Sequence, residues 1–184
     1  MSLANTILPG IFWAIFGFAL ILNPAIRMII YFIYCRNLKE NGFKISERVI
    51  TTDFYVFWYY LKNRHVGIWL DYDAKKIAIK TGTFETNPQI YDFSVLKGVE
   101  LVVGESVPTE VRGWSILVRR TKIVDVAGEV VLNIRAKEQA IPPLYVWKKS
   151  LFASNEDVNS YGYKQLLGGA LHMEEVLQAV IDGK

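Results

Sequence analysis

The sequence has few of the residues from which catalytic and metal sites are usually built. Its single cysteine, Cys35, excludes an intramolecular disulfide and a metal site made of several cysteines. Its two histidines, His65 and His172, lie far apart and show neither HExxH nor paired-cysteine spacing. No nucleophile-elbow, phosphate-loop or dinucleotide-binding motif occurs. We therefore expect no enzyme activity, no cofactor and no bound metal.

Charge is absent from one end of the chain. Residues 1–26 carry no charged side chain, whereas residues 27–48 hold five basic residues against two acidic ones. The rest of the chain is balanced, with 16 basic and 16 acidic side chains. The net charge of +3 is therefore local to the residues that follow the uncharged end. Because the remainder is neutral, we expect no nucleic-acid partner.

The uncharged end contains an apolar segment of membrane-spanning length. A transmembrane helix needs about 20 apolar residues, and residues 7–26 meet this requirement while leaving Arg27 at the interface. We predict a transmembrane helix over about 7–26, with an apolar continuation to residue 35. Two alternatives stay open, a cleaved signal peptide and a re-entrant hairpin that breaks at Asn23-Pro24. The missing basic residues before the segment and the bulky residues after it disfavour cleavage.

The basic residues beside the apolar segment predict its orientation. Positive charge lies only on the C-terminal side, so the positive-inside rule places residues 36–184 in the cytoplasm and the chain in the inner membrane as a single-pass protein. Four of these side chains would lie over anionic lipid headgroups, which makes them candidate lipid contacts, unless they only signal topology. They are Arg36, Lys39, Lys44 and Arg48. Cys35 is interpreted as a buried, inert thiol, with palmitoylation as the alternative.

Most of the remaining chain shows the alternation of apolar and polar residues that is typical of strands. The predicted strands are residues 66–72, 75–80, 89–93, 99–103, 113–119, 129–135 and 144–147. A helix follows, because Met173, Val176, Leu177, Val180 and Ile181 repeat with helical spacing on one face. No segment between the strands is helical and long enough for a parallel crossover. The sequence therefore predicts an α+β fold that is mainly antiparallel β.

These patterns divide the chain into three parts. Residues 1–35 are the predicted membrane anchor, and residues 36–65 are a basic and aromatic juxtamembrane linker. Residues 66–184 are the predicted cytoplasmic β domain with its C-terminal helix.

Short stretches of the β region resemble a known group of proteins. They are Trp69-Leu70-Asp71, Lys75-Lys76-Ile77-Ala78-Ile79, Ile90 to Leu96 and Val99-Glu100-Leu101. Together with the order of seven strands and one helix, they resemble small bacterial proteins that join an N-terminal membrane segment to a pleckstrin-homology-like (PH-like) domain. The resemblance implies a roughly seven-stranded barrel closed by the C-terminal amphipathic helix. It also implies a membrane-attached adaptor or scaffold without catalytic activity.

Three further groups of residues are candidate functional groups. Such barrels sometimes bind anionic headgroups, which makes Arg119, Arg120 and Lys122 possible lipid contacts, with a solvated strand edge as the alternative. Asp71 and Asp73 have the spacing of some metal-binding pairs, but beside a hairpin turn we interpret them as turn residues. Six aromatic residues form a possible partner or membrane-interface surface, unless they are buried. They are Phe54, Tyr55, Phe57, Trp58, Tyr59 and Tyr60.

These observations predict a membrane-tethered, non-enzymatic protein-binding module. An adaptor, an immunity protein or a subunit of a membrane complex would have these features. The expected partners are membrane lipids and an unidentified protein. The alternative function is an anionic-lipid-sensing domain at the cytoplasmic face of the membrane.

Overall fold

The computed structural model describes residues 25–51, 66–112, 121–126, 128–137, 140–147 and 158–183. A helix, α1, occupies residues 25–40. The strands that follow are β1 (Glu47–Ile50), β2 (Gly67–Asp71), β3 (Lys76–Lys80), β4 (Gln89–Asp92), β5 (Leu96–Val103), β6 (Val107–Arg112), β7 (Thr121–Val126), β8 (Val130–Ala136) and β9 (Leu144–Trp147). The last element is the helix α2 (Tyr161–Ile181).

Every strand pairing in the described residues is antiparallel, which confirms the predicted α+β class. The strands form a four-stranded sheet in the order β1-β2-β3-β4 and a three-stranded sheet in the order β5-β8-β9. The strands β6 and β7 pair only with each other in the described part of the chain. Pro108 is tolerated in β6 because an edge strand does not need every backbone N–H for a ladder.

The predicted closed seven-stranded barrel is wrong. A barrel needs a continuous ladder around its circumference, whereas the sheets here are open. The chain leaves the first sheet at β4 and passes through a short 3-10 turn, Phe93–Val95, directly into β5 of the second sheet. Within the described residues β4 pairs only with β3, and β5 pairs only with β8. Alternation along a strand predicts which face is buried but not which strand lies beside it, so the number of strands could not establish closure.

The predicted single-pass localisation in the inner membrane is contradicted. Among the described residues, no helix is both long and apolar enough to cross a membrane. Helix α2 has sufficient length, but it carries Lys164, Glu174 and Glu175, which are costly in a bilayer. The described residues of α1 are fewer than the roughly 20 that a span requires. Residues 7–24 of the predicted span lie outside the described residues.

The main hydrophobic core lies between the two larger sheets and α2. It includes Ile68 and Ile79 from the first sheet, Leu132 from the second, and Met173 from α2, each of them fully buried. Burial of Met173 and Leu177 confirms the predicted apolar face of the C-terminal helix. Apolar burial of this kind contributes about 25 cal/mol for each Å² removed from water, so this core is the principal stabilising feature.

Helix α2 begins earlier than its apolar spacing predicts. The Ser160 side chain caps it by accepting a hydrogen bond from the backbone N–H of Tyr163, with a distance of 3.1 Å between the two atoms. Gly169 does not end the helix, and it faces the backbone of Thr51 at the end of β1. A Cβ at Gly169 would be 3.5 Å from the Thr51 Cα, which is an ordinary van der Waals distance, so the helix packs closely on the end of β1 at this point.

Residues assigned by the sequence to a linker contribute to the first sheet. Strand β1 lies within the predicted linker 36–65 and pairs with β2 over its whole length, from Glu47 opposite Leu70 to Ile50 opposite Gly67. Every residue of β2 is buried, because it has a neighbouring strand on each side and is covered on both faces. The main core covers one face, and α1 covers the other.

Candidate functional site

Helix α1 has one buried face and one exposed apolar face. Tyr34 and Leu38 are fully buried against the first sheet. On the other side, five large apolar residues are exposed over two turns of the helix. We call this surface the outer face of α1; it consists of Ile26, Met28, Ile29, Phe32 and Ile33. The exposed fractions of Ile29 and Phe32 are 56% and 62%, which are large for apolar side chains.

The buried face of α1 packs on aromatic and small residues of the first sheet. The ring of Tyr34 lies over that of Trp69 in β2, with 4.8 Å between the ring centroids. Trp69 is paired across the sheet with Ala78, whose small side chain leaves room for the helix. Leu38 and Phe43 complete this second cluster, which is separate from the main core. Such aromatic pairs contribute about 0.5–1.5 kcal/mol beyond area burial, so the second cluster fixes the position of α1.

A buried lysine lies beside this cluster. Lys80, at the end of β3, is only 2% exposed. Its Nζ donates hydrogen bonds to the backbone oxygens of Gly82, Thr83 and Glu85, at 2.5, 3.2 and 2.8 Å. Three acceptors match the three N–H groups of an ammonium ion, and the Tyr34 ring is centred 5.2 Å from the same nitrogen. The Lys80 amine is therefore fully occupied by the protein.

Burial lowers the pKa of Lys80 to about 8, because a cation loses hydration in the interior. The negative charge of Glu85 opposes this shift. The Glu85 carboxylate also accepts hydrogen bonds from the Thr81 backbone N–H at 2.7 Å and from its hydroxyl at 3.1 Å. The carbonyls and these bonds order the loop of residues 81–86, which connects β3 to β4. We conclude that Lys80 has a structural function and is not presented as a reactive amine.

The loop 81–86 is also attached to α1. The side-chain amide of Asn37 donates a hydrogen bond to the backbone oxygen of Thr86, with 2.9 Å between the two atoms. Arg48 of β1 also holds the helix, because its guanidinium donates a hydrogen bond to the hydroxyl of Tyr31 at 2.7 Å. These two contacts and the second cluster hold α1 against the sheet, which leaves its outer face directed away from the protein.

Four predicted lipid contacts lie on or near α1, and three of them form an ion pair or a hydrogen bond within the protein. Arg36 forms an ion pair with Glu40 at 2.7 Å, and Lys44 forms one with Asp73 at 2.5 Å. Arg48 binds the neutral hydroxyl of Tyr31, so its charge is not compensated there. Lys39 is exposed and borders an open groove of about 540 Å³, which is also lined by Gly42, Phe43, Lys44 and Ile45. Positive charge therefore remains beside the C-terminal end of the outer face.

The other predicted site residues lie outside the described residues or belong to other elements. Arg119 and Arg120 lie outside the described residues, and so do the aromatic residues 54–60. Lys122 belongs to β7, opposite Val111 of β6. His65 also lies outside the described residues, whereas His172 is exposed on α2 with its Nδ1 3.7 Å from a carboxylate oxygen of Glu175. In the described ranges, no group of three or more metal-ligating side chains forms a site.

Asp71 is a turn residue, as its position beside a hairpin indicated. It is 1% exposed, and both carboxylate oxygens accept backbone hydrogen bonds. One oxygen accepts from the N–H of Ala74 at 2.9 Å, and the other accepts from the N–H of Lys44 at 2.7 Å. These bonds lower the pKa of Asp71, because they stabilise its charged form. Asp73 instead pairs with the Lys44 ammonium, so the two aspartates do not act together.

We predict that Asp71→Asn destabilises the protein by about 2 kcal/mol at neutral pH, because an amide cannot accept both bonds with full charge. A carboxylate with a lowered pKa stabilises the fold above its unfolded pKa of about 3.9, and this contribution is lost as the pH falls through the folded pKa. The difference in unfolding free energy between wild type and Asp71→Asn should therefore shrink in acid. Urea unfolding between pH 7 and pH 2 measures it. Asp73→Asn is the control, and a pH-independent difference for Asp71→Asn would contradict the assignment.

The sequence did not reveal two main features of this region. The outer face of α1 was included in the predicted anchor and its apolar continuation, since a run of apolar residues does not show which of them face a sheet. Lys80 gave no distinctive signal, because a lysine at the end of an alternating strand usually lies in solvent. Its position on the same side of β3 as Ala78 was the only indication that α1 covers it.

Comparison of the chain with protein-family models, with curated proteins and with solved structures finds no match.

Proposed function

We propose that this protein is a non-enzymatic module that binds another protein through the outer face of α1. The observation that supports this proposal is the concentration of exposed large apolar side chains on one side of a helix whose other side is buried. Other exposed apolar residues, such as Leu171 in α2 and Ile123 in β7, lie on other elements. Contiguous exposed apolar surface is typical of interaction sites, whereas scattered exposed apolar residues are ordinary.

The helical spacing of the outer face favours a helical partner. Residues at positions i, i+3, i+4 and i+7 form the apolar ridge that packs against a second amphipathic helix, and Ile26, Ile29 and Ile33 have this spacing. Lys39 and Arg48 add positive charge near one end. We infer that the partner presents an apolar helix face with carboxylates beside it, since complementary charge favours correct orientation and fast association.

A non-enzymatic role is consistent with the state of the reactive side chains in the described ranges. The carboxylate of Asp71 is used by the turn, and the amine of Lys80 is enclosed by carbonyls. Burial raises the pKa of Cys35, so its thiol stays neutral and unreactive at neutral pH. The carboxylate of Asp71 and the amine of Lys80 therefore act in folding.

The same positive charge also favours a second candidate, binding to anionic lipid. A helix with an apolar face and neighbouring lysine or arginine residues can lie in the headgroup region of a lipid surface without crossing it. Lys39 and Arg48 are the described side chains whose charge would favour anionic headgroups, at about 1 kcal/mol for each residue. This candidate needs no spanning helix, and the experiment below distinguishes it from protein binding.

The test is co-purification of the tagged full-length protein from cells that produce it naturally, with Phe32→Ser compared to wild type. We expect a stoichiometric protein partner with wild type and at least a ten-fold loss with Phe32→Ser, because the substitution removes a large apolar contact. Leu171→Ser is the matched control, since Leu171 is 51% exposed on α2, which packs on the opposite side of the first sheet from α1. It should retain the partner fully.

Two results would count against protein binding at this face. Equal retention of the partner by Phe32→Ser and wild type would place the interface elsewhere on the protein. Absence of a partner, together with salt-sensitive binding of purified wild-type protein to vesicles containing phosphatidylglycerol, would instead favour the lipid candidate. Vesicles of neutral phosphatidylcholine are the reference, because electrostatic binding requires an anionic surface.

A further inference from the structure

The contact between α1 and the first sheet contains two unsatisfied polar atoms. The hydroxyl of Tyr34 and the indole N–H of Trp69 are both buried without a hydrogen-bond partner in the described structure, and the indole N–H of Trp147 is the corresponding atom in the main core. Tyr34 is 0% exposed and Trp69 is 1% exposed. A buried donor without an acceptor reduces stability, because it loses its bond to water and gains none in exchange. The contact is therefore well packed, but two of its buried polar atoms lack hydrogen bonds.

The same contact is spatially separate from the main core. The second cluster, built around Tyr34, Leu38, Phe43, Trp69 and Ala78, shares no member with the core that α2 covers. Strands β2 and β3 lie between the two clusters. A change on the α1 side can therefore leave Ile68, Ile79 and the α2 contacts in place.

We propose that α1 detaches from the first sheet as a unit while the main core stays folded. Detachment lets water bond to Tyr34 Oη and Trp69 Nε1, which offsets part of the lost apolar burial. It also breaks the bond between Asn37 and Thr86 and the contact between the Tyr34 ring and Lys80. Helix α1 thus undocks reversibly from the face of the sheet that carries Trp69 and Ala78.

Detachment would have a direct consequence for recognition. It exposes a second apolar surface, on the sheet, in addition to the outer face of α1. The inference concerns the free protein and does not depend on the proposed function. If the outer face of α1 binds no partner, the helix can still detach.

Hydrogen exchange followed by mass spectrometry on the free full-length protein tests this inference. Peptides within residues 29–40 report α1, and peptides within residues 67–80 and 161–181 report the sheet and α2. We expect α1 to exchange at least ten-fold faster than the protected amides of β2, β3 and α2, because local opening requires less free energy than global unfolding. Equal protection of all three regions would overturn the proposal.

Two variants distinguish local detachment from general weakening. Tyr34→Phe removes one unsatisfied hydroxyl and keeps the ring, so we expect α1 to exchange at least three-fold more slowly. Asn37→Ala removes the bond to Thr86, so α1 should exchange at least three-fold faster while the α2 peptides do not change. Tyr163→Phe, in the main core, is the control and should not alter α1 selectively. If Tyr34→Phe accelerated exchange in α1, or if Asn37→Ala accelerated all regions equally, the inference would be wrong.

Discussion

Gly128→Ala is expected to destabilise the protein by about 3 kcal/mol, because the added methyl group would meet rigid backbone. A Cβ at Gly128 would lie 2.5 Å from the carbonyl carbon of Gly104 and 2.6 Å from the backbone oxygen of Glu105. Gly104 is itself fixed, since its N–H donates to the backbone oxygen of Glu129 at 2.7 Å. Neither segment can move without disturbing the junction between β5 and β8. Urea unfolding of the purified variant measures the loss.

Gly98→Ala is the matched control for this prediction. Gly98 also lies in the second sheet, but a Cβ there would have no atom within 4 Å. We expect its unfolding free energy to stay within about 1 kcal/mol of wild type, since Ala costs less backbone entropy than Gly and meets no obstacle. Similar unfolding midpoints for Gly128→Ala and wild type would show that the two backbone segments do not approach as closely as described.

Trp69→Ala should have the largest effect in the second cluster, a loss of about 3–5 kcal/mol. Trp69 is 1% exposed and contacts Tyr34 of α1, so its removal leaves a cavity under the helix. Because the main core lies on the opposite side of β2, we expect α1 to lose its position before the sheets unfold. Urea unfolding followed by far-UV circular dichroism measures the loss and its cooperativity.

Trp69→Phe separates the contribution of aromatic packing to stability from the cost of the indole N–H that lacks a hydrogen-bond acceptor. It keeps an aromatic ring against Tyr34 and removes the unpartnered Nε1, so we expect a loss of about 1.5 kcal/mol or less. A loss as large as that of Trp69→Ala would show that the indole N–H has a stabilising partner. That result would also weaken the inference that α1 detaches readily.

The strands and the last helix could be predicted from the sequence where side chains alternate or repeat on one face. Strands β2, β3 and β4 and the apolar face of α2 agree with their predicted positions within a few residues. Local periodicity determines such elements, because each face contacts either core or solvent. Strand β1 was missed because its four residues lie in a basic stretch that resembled a linker. The β6–β7 pair was missed because Pro108 and Gly128 indicated turns.

The position of α1 and the surroundings of Lys80 could not be predicted from the same patterns. Both depend on contacts between segments that are distant in the sequence, such as Asn37 with Thr86. An apolar run that precedes basic residues fits an anchor and also fits a helix that covers a sheet. For the described residues of α1, the observation that favours a helix covering a sheet over an anchor is the packing of Tyr34 on Trp69, which is paired with Ala78. The candidate site therefore emerged from tertiary contacts.

Burial of β2 on both faces has a consequence for sequence variation. Adjacent residues of this strand contact different parts of the protein. Substitutions at neighbouring positions should therefore be accompanied by substitutions at different contacting residues. In a set of homologous sequences, Trp69 would co-vary with Tyr34 and Leu38 of α1. Ile68 and Leu70 would instead co-vary with the apolar positions of α2 and the second sheet. Two independent patterns of co-variation, alternating along a single strand, would mark the two sides of this sheet.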